Sequence, residues 1–365
     1  MKINILLPYK EKFDEMKASS VSITVKNNLY HSIFLNDIKV FGQNVEKPLF
    51  KNNFVGIKYS ILSLKSKNIF LADKMLDIIS KTSEKKQIIE IHNRPYLVDQ
   101  IAKANNFPIT LFLHNDPQTM KGSTSVKERE NIIAKCAAIF CVSEYIKTQF
   151  LENILLHNNK VHVLYNGINR KLKKFPKKKK EILFVGRIVY EKGADLYVEV
   201  VKSIASYYPD WSFGLIGSFR LGDNKSTNSY ATKVIEKFKS IGSQAKFYGF
   251  KDHDFVGRKM KTASIIIIPS LWKEPFGLVA AEAMSNGIAI IASKVGGIPE
   301  IVKNNGNLIE NINFLKLEES LRQLISNDKL RENYQKKAWK NFQLTSNISS
   351  KKLDDFRKTI FKSHY

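Results

Sequence analysis

The sequence has no long apolar run and is poor in cysteine. Nowhere do about 18 apolar residues follow one another, so no membrane-spanning helix is expected. The first residues, MKINILLPYK, have too short an apolar core for a signal peptide and are interpreted as a first strand. The cysteines are Cys136 and Cys141. Because a structural zinc site needs about four ligands, both are expected to be buried apolar residues near the start of a strand.

Acidic residues are scarce beside basic ones. Lys plus Arg number 59 and Asp plus Glu number 34, which gives a formal net charge of +25. This excess favours an anionic partner. No nucleic-acid-binding motif is present, so nucleic acid is not expected, and an anionic lipid surface is the other candidate. The run KLKKFPKKKK, Lys171 to Lys180, is interpreted as a linker, either a solvated tether or a contact for membrane phosphates.

The stretch from Ser264 to Val302 has the pattern of a doubly wound α/β sheet. An apolar run, Ile265 to Ile268, predicts a buried parallel strand. A loop follows, and Pro275 stands where a helix is expected to begin. Asn286-Gly287 is expected to end that helix. The next apolar run predicts another strand, so the unit is strand–loop–helix–strand.

Two carboxylates in this stretch are candidates for binding a ligand. Glu274 is expected at the carboxyl end of the strand, where open α/β sheets bind ligands, and Glu282 on the helix that follows. The amides of Phe276, Gly277 and Leu278 are expected to form the amino end of that helix, which suits a phosphate. A hydroxyl-rich diphosphate fits both features. The alternative, two solvated surface charges, is weakened by the apolar neighbours of Glu282.

The run from Glu274 to Glu282, with Pro-Phe-Gly-Leu-Val after the first Glu, resembles the E-x7-E signature of the retaining family-4 glycosyltransferases. Gly296-Gly297-Ile298-Pro299-Glu300 resembles the next motif of that family. The resemblance implies the GT-B fold, in which two Rossmann-like domains face each other across a cleft and a C-terminal helix crosses back to the N-terminal domain. It places an acceptor-binding domain at 1–170, the linker at 171–180, a nucleotide-sugar domain at 181–345 and the returning helix at 346–365.

The same resemblance assigns roles to residues of the C-terminal half. Gly186-Arg187 and Glu191-Lys192-Gly193 match the pattern G-R-x-x-x-E-K-G, in which Arg187 and Lys192 clamp the donor diphosphate. Glu274 then holds sugar hydroxyls and Glu282 the ribose hydroxyls. The loops at Gly217 and Phe250 are expected near the nucleotide base. Asp252 and His253 either contact the base or, as favoured here, cap the next helix.

Polar residues also end two predicted strands of the N-terminal half. The strand Gln87 to His92 leads into His92-Asn93-Arg94, and Leu111 to His114 ends in a second histidine. These runs resemble family-4 enzymes that build lipopolysaccharide core, and a spore-coat relative. The resemblance places His114 at the donor sugar and His92, Asn93 and Arg94 on the acceptor side. The Gly-Gly loop that is usual in the family is missing near residues 17–20, so the resemblance assigns no role to any residue there.

The function expected is retaining transfer of a hexose or N-acetylhexosamine from a nucleotide sugar, most simply UDP-linked, to a cell-envelope glycan such as lipopolysaccharide core. The resemblance implies no metal and no cofactor besides the donor. The expected location is the cytoplasm, at the inner face of the plasma membrane, with an anionic glycolipid or glycan as acceptor. Alternatives are a GT-B sugar-nucleotide epimerase or phosphorylase, and a non-catalytic binding or coat protein. The sugar, the linkage and the oligomeric state stay open.

Overall fold

The structure, a computed structural model, describes residues 1–155, 159–219 and 228–365 and contains two parallel β-sheets. The chain divides into two compact units. Unit 1 comprises Met1–Asn169 and Leu344–Tyr365, and unit 2 comprises Arg170–Gln343. The expected linker, 171–180, falls inside unit 2, and the expected boundary at 345/346 lies two residues after the point where the chain returns to unit 1.

Unit 1 is built on a seven-stranded sheet with the order β3-β2-β1-β4-β5-β6-β7, in which every neighbouring pair is parallel. Its strands are rich in Ile, Val, Leu and Phe, as strands covered on both faces must be. The strands are β1 Lys2–Leu6, β2 Ile38–Gln43, β3 Phe54–Ile57, β4 Gln87–His92, β5 Ile109–Leu113, β6 Ala138–Cys141 and β7 Val161–Val163. The helices are α1 Ser20–Tyr30, α2 Lys67–Ser80, α3 Leu97–Ala104, α4 Val126–Lys135, α5 Glu144–Leu151 and α13 Ser346–His364.

Unit 2 contains a six-stranded parallel sheet with the order β10-β9-β8-β11-β12-β13. The strands are β8 Lys179–Val185, β9 Ser212–Ile216, β10 Ala245–Gly249, β11 Ala263–Ile268, β12 Ala289–Ser293 and β13 Asn307–Ile309. The helices are α6 Ala194–Ile204, α7 Ser229–Lys239, α8 His253–Thr262, α9 Leu278–Ser285, α10 Ile298–Val302, α11 Phe314–Ser326 and α12 Asp328–Lys340. The strand order reverses between β8 and β11, and ligands of such sheets bind at this point.

The C-terminal helix α13 packs on unit 1, as expected, and its anchor is a buried ion cluster. Arg357 donates from Nε and Nη2 to the two carboxylate oxygens of Glu90 on β4, at 2.8 Å each, and from Nη1 to Asp354 at 2.9 Å. All three side chains are at most 3% exposed. The helix spans Ser346–His364, within the expected 346–365, and Thr345 caps its first turn by accepting from the Ile348 amide.

Polar side chains set the ends of several elements. Asn327 ends α11 and caps α12 through its side chain, so this part of the chain forms two helices rather than one. Residues 28–38 contain the end of α1, a short 3₁₀ turn and the start of β2. Strand β8 begins at Lys179, two residues before the predicted start of the second domain.

Most residues of the basic run 171–180 are exposed, but several of its side chains contact other parts of unit 2. Lys178 Nζ donates to backbone oxygens, among them that of Asn286 at 2.7 Å, and burial lowers the pKa of its ammonium to about 7. Phe175 packs edge-on against Trp339. Lys171 forms an exposed ion pair with Asp254 at 3.0 Å.

The two cysteines are buried and unpaired, as predicted. Burial raises the pKa of the Cys136 thiol to about 12 and that of Cys141 higher still. Across the described ranges, no helix is both long and apolar enough to cross a bilayer.

Candidate active site

In unit 2 the candidate site lies at the carboxyl ends of β8 and β11, on the two sides of the point where the strand order reverses. The loop after β8 carries Gly186, Arg187 and Lys192. The loop after β11 carries Ser270 and Glu274. Parallel strands end at one edge of the sheet, so topology alone brings these two loops together.

Lys192 and Glu274 form an ion pair at this edge. Ser270 Oγ donates to the same carboxylate oxygen, Oε1, at 2.7 Å. Glu274 is 9% exposed, and Oε2 has no hydrogen-bond partner among the described residues. The Lys192 ammonium also lies 5.3 Å from the centroid of the Trp272 ring. The site thus holds a buried carboxylate with one free oxygen beside a cation.

The sequence placed Lys192 and Glu274 in separate roles, diphosphate and sugar, and the structure brings them into direct contact. Ser270 and Trp272 were not predicted as members of the site. The one signal available was their position: both lie in the five residues between the apolar strand and Glu274. Polar and aromatic residues in a loop at the carboxyl end of a buried strand are candidates for binding.

Helix α9 begins at Leu278, and the predicted start at Pro275 is wrong. Gly277 precedes it with φ +95°, a left-handed conformation that suits glycine and that no right-handed helix contains. The loop before it is held by another segment, since the Gly297 amide donates to the Glu274 carbonyl at 2.7 Å. Of the three amides predicted at this helix end, the one of Leu278 alone belongs to the first turn. Phe276 is buried in the loop.

Glu282 lies on α9, four residues after Leu278. Burial raises the pKa of its carboxyl to about 7, so a sizeable fraction is protonated at neutral pH. The nearest cationic candidate is His253, whose Nδ1 lies 3.9 Å from Glu282 Oε1. The carboxyl can therefore accept from, or donate to, the hydroxyl of a ligand.

The loops after β8 and β9 meet through glycine. Gly217 has φ +145°, and a Cβ atom there would overlap the carbonyl oxygen of Gly186. The Gly186 amide donates to Ile216 O at 3.0 Å, and the Gly217 amide donates to Gly249 O at 2.9 Å. This close approach leaves backbone rather than side chains at the edge of the sheet. Phe250 follows directly after β10 and is half-buried.

Arg187 is exposed, and within the described residues it forms no ion pair or hydrogen bond. It therefore has no structural partner to give up on binding an anion. Asp252 caps α8 by accepting from the Phe255 amide at 2.7 Å, as favoured from the sequence. Asp252 and Asp254 form an Asp-x-Asp run, but the cap and the Lys171 ion pair engage them separately. No cluster of metal-ligating side chains occurs in the part of the chain that the structure describes.

In unit 1 the predicted residues converge at the carboxyl ends of β4 and β5. His92 Nδ1 lies 2.9 Å from His114 Nε2, and the two rings are stacked. His92 is 2% exposed and also stacks on Phe112. Asn93, at φ +54°, accepts from the His114 amide at 2.9 Å. This hydrogen bond fixes the backbone of His114.

The contacts of His92 determine which nitrogen of His114 carries the proton. Burial lowers the pKa of His114 to about 4 and that of His92 well below its ordinary value, with His114 and Arg357 adding to the effect at His92. Both rings are therefore neutral at pH 7. His92 Nε2 is buried and has no partner in the described residues. An unpaired acceptor is tolerated better than an unpaired N–H, so His92 donates from Nδ1, and His114 carries its proton on Nδ1.

Arg94 donates to the carbonyl oxygen of Asn93 at 2.6 Å and is half-buried beside the histidine pair. The altered loop near 17–20 leads directly into α1, whose first turn is capped by Ser19 accepting from the Ser22 amide. His114, Asn93, His92 and Arg94 thus form one group in unit 1. Lys192, Glu274, Ser270 and Gly186 form another in unit 2.

Two family descriptions match adjacent parts of the chain. "Glycosyl transferases group 1" matches residues 167–341, and "Glycosyltransferase Family 4" matches residues 36–172. Together they span residues 36–341, which is nearly all of unit 2 and most of unit 1. The chain belongs to the group 1 and family 4 glycosyltransferases. The glycosyltransferase family expected from the E-x7-E run is confirmed, and retention of the anomeric configuration stays a prediction.

Relatives and solved structures agree with this family. An uncharacterized glycosyltransferase of Methanocaldococcus jannaschii is 37% identical over 198 residues, which cover 53% of this chain and 51% of the relative. Spore coat protein SA of Bacillus subtilis is 27% identical (67% and 70% covered), and the lipopolysaccharide 1,2-N-acetylglucosaminetransferase of Salmonella typhimurium is 26% identical (63% and 61%). The chain thus matches about half the length of its archaeal relative.

The fold is also that of solved glycosyltransferases. A sucrose-phosphate synthase from Thermosynechococcus elongatus superposes with a TM-score of 0.78 at 17% identity, covering 99% of both chains. The Anabaena protein HepE, solved with UDP-glucose, gives 0.72 at 16% identity, covering 98% of this chain and 100% of that one. These values confirm the expected GT-B architecture of two Rossmann-like domains.

Proposed function

We propose that this glycosyltransferase moves a sugar from a nucleotide donor to an acceptor hydroxyl with retention of anomeric configuration. The observation that carries the proposal is the Lys192–Glu274–Ser270 cluster at the strand-order reversal of unit 2. It supplies a cation for a departing diphosphate and a buried carboxylate oxygen for sugar hydroxyls. Unit 2 is the donor-binding domain in this proposal, and unit 1 binds the acceptor.

In the proposed reaction, the bond between the anomeric carbon and the diphosphate oxygen breaks as the acceptor oxygen bonds to that carbon, and the proton of the acceptor hydroxyl passes to the departing diphosphate. Negative charge grows on the diphosphate, and Arg187, Lys192 and the amide end of α9 stabilise it. These fixed charges do the work that a divalent cation does elsewhere, so the proposed reaction is metal-independent. Glu274 orients the sugar and Glu282 the ribose. Gly186, Gly217 and Phe250 border the base.

The proposed donor is a UDP-sugar. Support comes from the Anabaena neighbour, which was solved with UDP-glucose. In unit 1 the proposed role of His114 is to donate from Nδ1–H to the donor sugar. His92, Asn93 and Arg94 form the acceptor side, where a guanidinium suits a phosphate or carboxylate on the acceptor.

The proposed acceptor is an anionic cell-envelope glycan or glycolipid, with lipopolysaccharide core as the model case. The Salmonella relative, named as a lipopolysaccharide N-acetylglucosaminetransferase, supports this class. The net charge of +25 supports an anionic acceptor and a peripheral location at an anionic membrane surface. In this proposal the enzyme acts at the cytoplasmic face of that membrane.

Thermal unfolding with UDP, GDP and ADP, each with and without EDTA, tests the donor site. Ligand at about 100 times its Kd stabilises the folded protein by about 2.7 kcal/mol, which raises the unfolding midpoint by several degrees. The proposal expects a shift with UDP that EDTA does not change. A shift that EDTA abolishes contradicts metal independence, and the absence of a shift with every nucleotide contradicts the donor site.

A non-catalytic coat or binding protein is the second candidate, and the similarity to spore coat protein SA is the observation that favours it. Incubation with UDP-sugars and a glycan acceptor separates the two, because a coat protein releases no UDP. An epimerase converts the sugar nucleotide without any acceptor, so the same incubation without acceptor excludes or reveals that activity.

A further inference from the structure

The loop between β3 and α2, residues 58–66, exposes three aliphatic side chains almost completely. Ile61 is 95% exposed, Leu62 is 92% exposed and Leu64 is 104% exposed. Single apolar side chains on a surface are ordinary, but three within four positions form a contiguous apolar tip. We call residues 58–66 the apolar loop.

The apolar loop has a defined backbone that does not use these side chains. The Ser63 amide donates to Ser60 O at 3.0 Å, which closes a turn at the tip. The Tyr59 hydroxyl is within donating distance of Ser63 O, at 3.0 Å, and of Lys65 O, at 2.8 Å. The Tyr59 ring packs edge-on against Phe70. The exposure of the aliphatic residues is therefore part of an ordered loop.

Lysines flank the tip on both sides. Lys58 precedes it and is exposed, and Lys65 follows it, 61% exposed although paired with Asp73 at 2.6 Å. The Lys67 ammonium lies over the rings of Tyr9 and Tyr59, 5.1 and 5.6 Å from their centroids. This combination suits a membrane interface. Aliphatic side chains of the tip can enter the acyl chains, tyrosines can lie among the headgroups, and lysines can contact anionic lipid.

The apolar loop follows β3, so it emerges from the carboxyl edge of the unit 1 sheet. The histidine pair lies at the same edge, after β4 and β5. A membrane that receives the loop therefore faces the edge proposed to bind the acceptor. A lipid-linked acceptor could then place its sugar at this edge of the sheet while its acyl chains remain in the bilayer.

We propose that the apolar loop inserts into an anionic bilayer and docks unit 1 on the membrane that holds a lipid-linked acceptor. The choice of acceptor rests on the proposed function, whereas insertion itself does not require catalysis. The lysine run 171–180 is the rival membrane contact, and the two are separated by mutation.

The test is co-sedimentation of the full chain with vesicles of equal parts phosphatidylcholine and phosphatidylglycerol. The variant Ile61→Asn/Leu62→Asn/Leu64→Asn is expected to lose affinity by about tenfold or more, because it removes most of the apolar area that is buried on insertion. Its unfolding midpoint should equal that of the wild type, since these side chains pack on nothing. Leu315→Asn, 73% exposed on α11 of unit 2, is the matched control and should bind normally.

A single-site probe distinguishes insertion from mere proximity. Leu62→Cys carrying an environment-sensitive dye should shift its emission to the blue on the anionic vesicles, and Leu315→Cys should not. Labelling is selective because Cys136 and Cys141 are buried. The proposal is overturned if the triple Asn variant binds like the wild type, or if Lys173→Gln/Lys174→Gln/Lys177→Gln alone abolishes binding.

Nucleotide stabilisation of the same variants keeps the two proposals apart. The triple Asn variant should still show the UDP-induced rise of the unfolding midpoint, but it should no longer co-sediment with the vesicles. If the wild type binds vesicles but no nucleotide stabilises it, the proposed transferase function fails and membrane docking stands. If nucleotides stabilise the wild type but the vesicles leave it in solution, the docking proposal fails alone.

Discussion

The carboxyl edges of the two parallel sheets carry different electrostatics. In unit 1 two stacked, neutral imidazoles occupy the edge with the half-buried Arg94 beside them, and a buried ion cluster of Arg357 and Glu90 lies at β4. In unit 2 the edge carries an ion pair, an exposed arginine and loops that approach through glycine. A neutral donor of hydrogen bonds suits sugar hydroxyls, and fixed cations suit a diphosphate. Under the proposed function, the unit 1 edge contacts the sugar and the unit 2 edge stabilises the leaving group.

The largest expected effect concerns the buried charges behind the neutral edge. Arg357→Met leaves Glu90 and Asp354 buried without their cation, which should lower the free energy of unfolding by about 3–5 kcal/mol. Urea titration measures this directly. Arg322→Met removes the i,i+4 pair with Glu318 on the surface of unit 2 and should cost about 1 kcal/mol or less. Equal losses would show that the cluster stabilises no more than a surface pair.

The next effect concerns the close contact between Gly217 and Gly186 at the edge of the unit 2 sheet. Gly217→Ala places a Cβ atom against the Gly186 carbonyl and forces alanine to a positive φ, so the expected loss of unfolding free energy is about 1–3 kcal/mol. Gly257→Ala is the control: it lies in α8 with no heavy atom within 4 Å of the new Cβ. That change should stabilise by about 0.5–1 kcal/mol. A neutral Gly217→Ala would mean that the two loops separate freely.

A smaller effect is expected on turnover when the cation of the charged edge is removed. Lys192→Ala should reduce kcat at saturating donor by at least about tenfold, which corresponds to about 1.4 kcal/mol of transition-state stabilisation. Initial rates of UDP release measure it. Lys294→Ala, which breaks an exposed pair with Glu310, should leave kcat unchanged. If Lys192→Ala also leaves it unchanged, the ion pair is structural and Arg187 alone faces the diphosphate.

The sequence allowed the family, the central strands of both sheets and most residues of the two edges to be predicted, because buried parallel strands and their terminal loops are local patterns. The outer strands β2, β3 and β13 were not predicted. The contacts that could not be predicted join segments that are far apart in the sequence. Pro275 is compatible with a helix start, and the loop is held open instead by the amide of Gly297. The Arg357–Glu90 pair joins residues 267 positions apart. Ser270 became a member of the site through its bond to Glu274, which no spacing rule indicates.

The smallest expected effect separates the two edges by the sign of their pH dependence. His114 has a pKa of about 4 in the folded chain against 6.5 for an ordinary histidine. Between those values the unfolded chain binds the extra proton, so this group makes stability rise with pH. Glu282 has a pKa of about 7 against 4.5, so the folded chain binds the extra proton and stability falls as pH rises through that window. The two edges should therefore have opposite effects on the pH dependence of the free energy of unfolding.

Unfolding free energies from urea titrations across about pH 4–7 should resolve these contributions, each about 1 kcal/mol or less per pH unit. His92→Phe/His114→Asn should flatten the rise of stability with pH, because it removes the groups that resist protonation in the folded state. Glu282→Gln should steepen the rise, because it removes the group that opposes it. The double variant changes unit 1 and Glu282→Gln changes unit 2. Changes of the same sign in both variants would contradict the contrast between the two edges.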